Sequence, residues 1–260
     1  MSGSEGGCHV SESSNYPLLA AQMLGVAGKD FACSGAAASD VTTTSQMSPP
    51  GQTVPPQIST LSGYEDTVVL TVGPDGLSCP NEDCRFASVF TRCVNVPIGN
   101  PNVEPCQPVL DPATNPQVTN AISNLEPTLV QTYLAIHQAA PTAQIYILGY
   151  PTLFASGLSG GTCDYINDSD IKWLLAKEAQ LNGVVAQAVI DANMNAYGLI
   201  HFVDLAHAFD GHELCSGGTE WLYGIDVNPP PFPPESRYFH PTVAGQQQMA
   251  AYLASQVGHR

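Results

Sequence analysis

The chain has 260 residues, 43% of them hydrophobic and 12% charged. That content is enough to bury one sizeable core and unlike that of a disordered chain or a coiled coil, so the simplest division is one domain over residues 1–260. Seven Lys and Arg against 23 Asp and Glu give a formal net charge of −16, which argues against nucleic acid or an anionic membrane surface as partner, since both reward basic patches.

Eight cysteines, Cys8, Cys33, Cys79, Cys84, Cys93, Cys106, Cys163 and Cys215, lack paired Cys-x-x-Cys spacing and a neighbouring histidine set. They point to disulfides and an oxidising compartment rather than to a metal site. Spacing alone does not decide their pairing, although Cys79 and Cys84 flank a short Pro-Asn-Glu-Asp turn. An acidic, Lys-poor chain of this kind is expected to be secreted. Its first residues, Met-Ser-Gly-Ser-Glu-Gly-Gly, carry no signal-peptide apolar region, and no run reaches membrane-spanning length.

In chain order, Asn15-Tyr16-Pro17 leads into a short helix over 18–24 that Gly25 stops. Phe31-Ala32-Cys33 is expected to end a strand, with Ser34-Gly35-Ala36 as its turn. Residues 42–57 are expected to form a loop, with a short helix over 57–61 beneath it. Thr67-Val68-Val69-Leu70-Thr71-Val72 is the clearest strand; apolar on both faces, it suits a buried parallel position, and Gly73-Pro74-Asp75-Gly76 ends it. Residues 77–118, with four cysteines and many prolines, form a disulfide-stapled insertion. One long helix is expected over 118–139, a second buried strand over 144–151 and an amphipathic helix over 170–195. A third strand over 200–204, a long loop over 205–236 and a closing helix starting near Pro241 complete the chain. Strands alternating with helices predict an α/β fold with a mostly parallel sheet. In such a sheet the site lies at the carboxyl ends of the strands, where the turns at Ser34-Gly35, Gly73-Pro74-Asp75 and Gly149-Tyr150-Pro151 fall.

His240, on a turn before the last helix, is the candidate general base. A lone histidine is more often structural, but its placement favours it over His212 in Asp210-Gly211-His212-Glu213. Gly35 and Gly73 can be turn glycines and nothing more; in the functional alternative, Gly35 lets its N–H approach a developing oxyanion. Asp75 can be a turn residue; at a site it would have to donate a hydrogen bond, which an ionised carboxylate cannot do.

Taken together, several pieces resemble the SGNH (GDSL-type) hydrolases, in particular the secreted actinobacterial esterase/lipase branch. They are Cys8 with Asn15-Tyr16-Pro17, Ala32-Cys33-Ser34-Gly35-Ala36, Leu70-Thr71-Val72-Gly73, Ala140-Pro141-Thr142-Ala143 with Gly149-Tyr150-Pro151, Phe209-Asp210-Gly211-His212-Glu213-Leu214-Cys215, Trp221, and Phe239-His240-Pro241 with Gly245. They run in the family's order over nearly the whole chain.

The resemblance implies a three-layer α/β/α sandwich with a flavodoxin-like sheet, and ester hydrolysis through a serine nucleophile without metal or cofactor. It implies His240 as base, Gly35 and Asp75 at the oxyanion site, and the pairs Cys8–Cys33, Cys79–Cys84, Cys93–Cys106 and Cys163–Cys215. The family's Gly-Asp-Ser block is expected just ahead of Ser2-Gly3-Ser4-Glu5-Gly6-Gly7, so nucleophile and first strand would lie upstream of Met1. Ser2 and Ser4 are the in-chain substitutes. Asp75 stands where relatives carry Asn. Arg237 stands where they carry the acid, so the Arg237 backbone carbonyl is expected to orient His240, with Glu235 as the side-chain alternative. The expected partner is a small-molecule or lipid ester bound by a monomer. A catalytically impaired relative that binds a lipid, glycan or protein is the alternative.

Overall fold

Asn15 caps the first helix with its side chain: Oδ1 accepts a hydrogen bond from the Leu18 N–H at 3.0 Å. The helix α1, Tyr16–Leu24, ends at Gly25, whose φ of 71° lies in the left-handed region that a side chain would resist. The computed structural model describes residues 8, 14–48, 51–80, 83–94, 105–156, 163, 165–225 and 238–258.

After α1 the chain is irregular through Phe31-Ala32-Cys33 and forms no ladder there, so no strand ends at that point. Helix α2, Ala38–Thr42, follows the Gly35 turn. The segment expected to be a plain loop contains an antiparallel hairpin, β1 (Gln46–Ser48) against β2 (Gln52–Val54). A single 3-10 turn, Gln57–Thr60, comes next.

The main sheet has β3 (Thr67–Leu70), β4 (Gln144–Leu148) and β5 (Ile200–Val203) in the order β3-β4-β5, all parallel, with Val69 opposite Tyr146 and Tyr146 opposite His201. Side chains alternate between the faces of a strand, so the burial of Ile145, Tyr146, Ile147 and Leu148 together means that both faces of β4 are covered. This is the parallel sheet expected from the alternation of strands and helices, and it fits the α/β sandwich that the resemblance implies. Strand β3 departs from its expected buried position: Thr67 is exposed and Val68, Val69 and Leu70 are half-buried, because β4 is its sole strand neighbour among the described residues.

The described parts of 77–118 form helices α3 (Phe86–Cys93) and α4 (Cys106–Leu110). A Cys93–Cys106 bridge joins them, and Cys79–Cys84 closes the turn before them. The expected single helix over 118–139 is two, α5 (Gln117–Ser123) and α6 (Glu126–Ala139). Pro127 is the reason: it has no N–H to give the Ser123 carbonyl, so the ladder breaks there.

Helix α7, Asp168–Ala196, presents Ile171, Leu174, Leu181, Val185, Ala188 and Ala192 to the core, and Glu178 falls in the same stripe. Helix α8, Val243–Val257, is capped by Thr242, whose hydroxyl oxygen accepts from Gly245 N–H; Pro241 therefore lies outside the helix and not at its first position. Helices α1 and α8 pack on each other, as do α6 and α7. Bridges Cys8–Cys33 and Cys163–Cys215 tie the periphery to this frame.

Candidate active site

The open side of β3 faces a trough of about 1530 Å³. Val68, Val69 and Leu70 of β3 and Met249, Leu253 and Val257 of α8 all line it. Its upper end reaches the carboxyl ends of β3 and β4, where Gly35, Asp75, Tyr150 and His240 all line it. The structure thus gathers His240, Gly35 and Asp75, from three distant stretches of sequence, on one cavity. Arg237, Glu235, Ser2 and Ser4 lie outside the described residues.

Each of the three is placed by a local device. Gly35 occupies a turn closed by Ala36 N–H donating to the Cys33 carbonyl at 3.2 Å, with φ at 72°. Its own N–H has no acceptor among the described residues. A β-carbon on Gly76 would come within 3.8 Å of Ala37 Cβ, so the turns bearing Gly35 and Asp75 pack side by side.

Asp75 sits in the 3-10 turn Pro74–Gly76, closed by Gly76 N–H on the Gly73 carbonyl at 3.0 Å. Burial pushes its carboxyl above the ordinary carboxylate value; nearby Arg85 opposes the shift and Asp83 adds to it.

His240 is half-buried, with Nδ1 at 2.9 Å from the Tyr238 carbonyl oxygen. A carbonyl only accepts, so this contact assigns the proton to Nδ1 and leaves Nε2 with a lone pair, the form that takes a proton from a nucleophile.

Three other described histidines are engaged elsewhere. His212 stacks on Trp221 with ring centroids 3.7 Å apart, and its Nδ1 lies 2.7 Å from the Thr219 carbonyl. His207 contacts Asp210 at 3.2 Å on the surface, and His201 Nε2 meets Gln144. None of these three lines the trough.

Two residues at the site escaped the sequence reading, Glu178, which lines the trough, and Asn182, which holds the trough residue Tyr150. Asn182 grips the backbone of Tyr150 at the end of β4. Glu178 accepts from Leu153 N–H at 3.2 Å through Oε2, while its buried Oε1 has no partner. Glu178 had a signal, a carboxylate in the three-four spaced apolar stripe of α7. Asn182 had none, because polar residues on a helix beside such a stripe are ordinary. Among the described residues no cluster of His, Cys, Asp and Glu has the geometry to hold a metal ion, and no helix is long and apolar enough to cross a membrane.

No family model matches the chain. Full-length comparisons do. A lipase of Streptomyces rimosus is 29% identical over 250 residues, covering 94% of this chain and 75% of the relative. The crystal structure of the extracellular lipase from Streptomyces rimosus superposes with a TM-score of 0.70 at 28% identity, over 96% of this chain and 89% of that one. The phospholipase A1 of Streptomyces albidoflavus NA297 gives a TM-score of 0.70 at 26% identity with the same coverage. In sequence and in fold the chain is thus similar to these Streptomyces lipases along nearly its whole length, which supports the assignment to the SGNH hydrolases that its motifs suggest.

Proposed function

We propose that the protein is a secreted carboxylic-ester hydrolase of esterase or lipase type, acting as a monomer on a lipid or small-molecule ester. The observation that carries this reading is the convergence of His240, Gly35 and Asp75 on one trough with the His240 Nδ1 on a carbonyl. His240 Nε2 takes the proton of a serine hydroxyl as that oxygen attacks the ester carbonyl, and returns it to the departing alcohol. Gly35 N–H and the Asp75 carboxyl, when protonated, face the oxyanion that forms. Water then repeats the sequence to release the acid.

We assign the nucleophile to a serine carried ahead of Met1, on a segment that adds a strand to β3. Two features support that arrangement. The β3 edge offers backbone N–H and C=O groups to a further strand, and the trough beside it is lined by apolar side chains rather than filled by them. Bridges and acidic surface fit an extracellular setting.

The test is turnover of p-nitrophenyl esters by a chain that includes the sequence encoded ahead of Met1, with and without His240→Ala. Equal rates would reject the assignment. Asp75, an acid where a hydrogen-bond donor is needed, favours a second reading: a protein that binds an ester-like lipid, glycan or protein without turning anything over. Covalent labelling by a serine-reactive fluorophosphonate rejects that one.

A further inference from the structure

Phe239 precedes His240 and has φ of 62°. For a bulky residue this is an outlier that the surroundings must hold in place. Three contacts do so. Its ring stacks on Phe90, with centroids 4.7 Å apart and planes 25° from parallel. Its N–H donates to the Tyr223 carbonyl at 2.8 Å, and Tyr223 N–H donates back to the His240 carbonyl at 2.9 Å. Phe154 completes the cluster, with centroids 6.2 Å from Phe239 and 6.3 Å from Phe90.

The φ and ψ of Phe239 set where the Tyr238 carbonyl lies relative to His240. In an extended conformation that carbonyl points away along the chain; the left-handed turn folds it back to the imidazole.

We propose that Phe239 is a positioning residue for His240: its left-handed backbone, locked by the Phe90 stack and the Tyr223 clamp, brings the Tyr238 carbonyl onto Nδ1 and fixes the imidazole tautomer. The backbone thereby does the orienting that a carboxylate does in an acid-assisted pair. Phe90 belongs to α3, which ends in the Cys93–Cys106 bridge, so the stapled insertion buttresses the base from outside the sheet. The proposal rests on the assignment of His240 as base, and it is tested separately from it.

The measurement is the tautomer of His240, read from the nitrogen chemical shifts of its imidazole in the 260-residue chain, with no substrate present. The unsubstituted protein is expected to show a protonated Nδ1 and a bare Nε2. Phe239→Val, which keeps an apolar side chain but resists positive φ, is expected to lose that preference. Phe239→Asn, which tolerates positive φ and keeps the Tyr223 clamp, is expected to retain it, and Phe90→Ala to weaken it. Near-ultraviolet circular dichroism establishes that each variant is folded.

An unchanged tautomer in folded Phe239→Val and Phe90→Ala overturns the proposal, as does equal loss in Phe239→Val and Phe239→Asn. In the chain extended ahead of Met1, Phe239→Val is expected to lower kcat on the order of 10²-fold with KM little changed, within the contribution of a positioned general base. A shifted tautomer with unchanged kcat would uphold the positioning role and reject His240 as base.

Discussion

The side-chain amide of Asn182 holds both backbone polar groups of Tyr150: its Oδ1 accepts from the Tyr150 N–H and its Nδ2 donates to the Tyr150 carbonyl, each at 2.8 Å. Strand β4 has run out at this point, and the pair takes the place of a ladder partner where the chain turns into the trough. Asn182→Ala leaves both groups unpaired in a half-buried position. We expect a loss of about 1–3 kcal/mol in urea unfolding. The neighbouring Gly183→Ala is the control: it lies in α7 with open space around its β-carbon position, and is expected to gain about 0.5–1 kcal/mol. A loss no larger for Asn182→Ala than for other exposed helix positions would contradict this role.

Glu178 gives stability a dependence on pH. Burial pushes its carboxyl from 4.5 up to about 8 against one opposing hydrogen bond from Leu153 N–H. Between those values the folded state holds a proton that the unfolded state releases. Stability is therefore fully present below about pH 4.5 and falls as pH rises through about 8, by on the order of a few kcal/mol. Glu178→Gln keeps an oxygen for Leu153 N–H and has no charge to bury. Urea melts at pH 5 and pH 8 are expected to coincide more closely for this variant than for the parent, and parallel pH curves would refute the assignment.

In the proposed reaction, Asp75 and His240 ask for opposite conditions. The imidazole is a base only once it has lost its proton, whereas Asp75 donates a hydrogen bond only while it keeps one. Burial raises the Asp75 value, which widens the overlap without removing the conflict. Asp75→Asn supplies a permanent donor. In a chain carrying the upstream serine, we expect kcat near neutral pH to rise by about 10²–10³-fold, the usual contribution of one oxyanion donor, and the acid side of the profile to gain less. A lower kcat in Asp75→Asn at every pH would show that the carboxylate serves another purpose.

Gly245 admits no side chain. A β-carbon there would lie 2.3 Å from the Trp221 carbonyl oxygen, 3.0 Å from Pro241 and 3.1 Å from Phe209. Because a backbone atom is the obstacle, the first turn of α8 has to shift, and the His240 segment is paired with Trp221 through Thr242 N–H at 2.8 Å. Gly245→Ala is expected to cost about 1–3 kcal/mol in thermal or urea unfolding and to broaden the His240 imidazole signals. A variant as stable as the parent would show the contact to be less confined than its geometry indicates.

Much of this molecule follows from local rules that residues carry with them. The Asn15 cap, the Gly25 stop, the β-branched run at 67–70 and the apolar stripe of α7 each specify an element without outside help, and the alternation of strands and helices specifies an α/β fold with a parallel sheet. The turn containing Gly35 and the histidine before the last helix are visible in the same way. Where the sequence reading departed from the structure, competing local chemistry was the cause: Pro127 divides a helix that apolar spacing alone makes continuous, and Thr242 outcompetes Pro241 as the start of α8.

Tertiary structure decided the rest, because it concerns groups that are unremarkable until they meet. Nothing within residues 144–204 announces that Asn182 will close the end of β4, since that match depends on the height at which α7 packs on the sheet. Nor does a phenylalanine beside a histidine announce a left-handed backbone; the stack on Phe90 and the Tyr223 clamp impose it from far along the chain. That a histidine stands before the last helix is local information. That its Nδ1 meets the Tyr238 carbonyl depends on the backbone path between them, which the tertiary structure fixes.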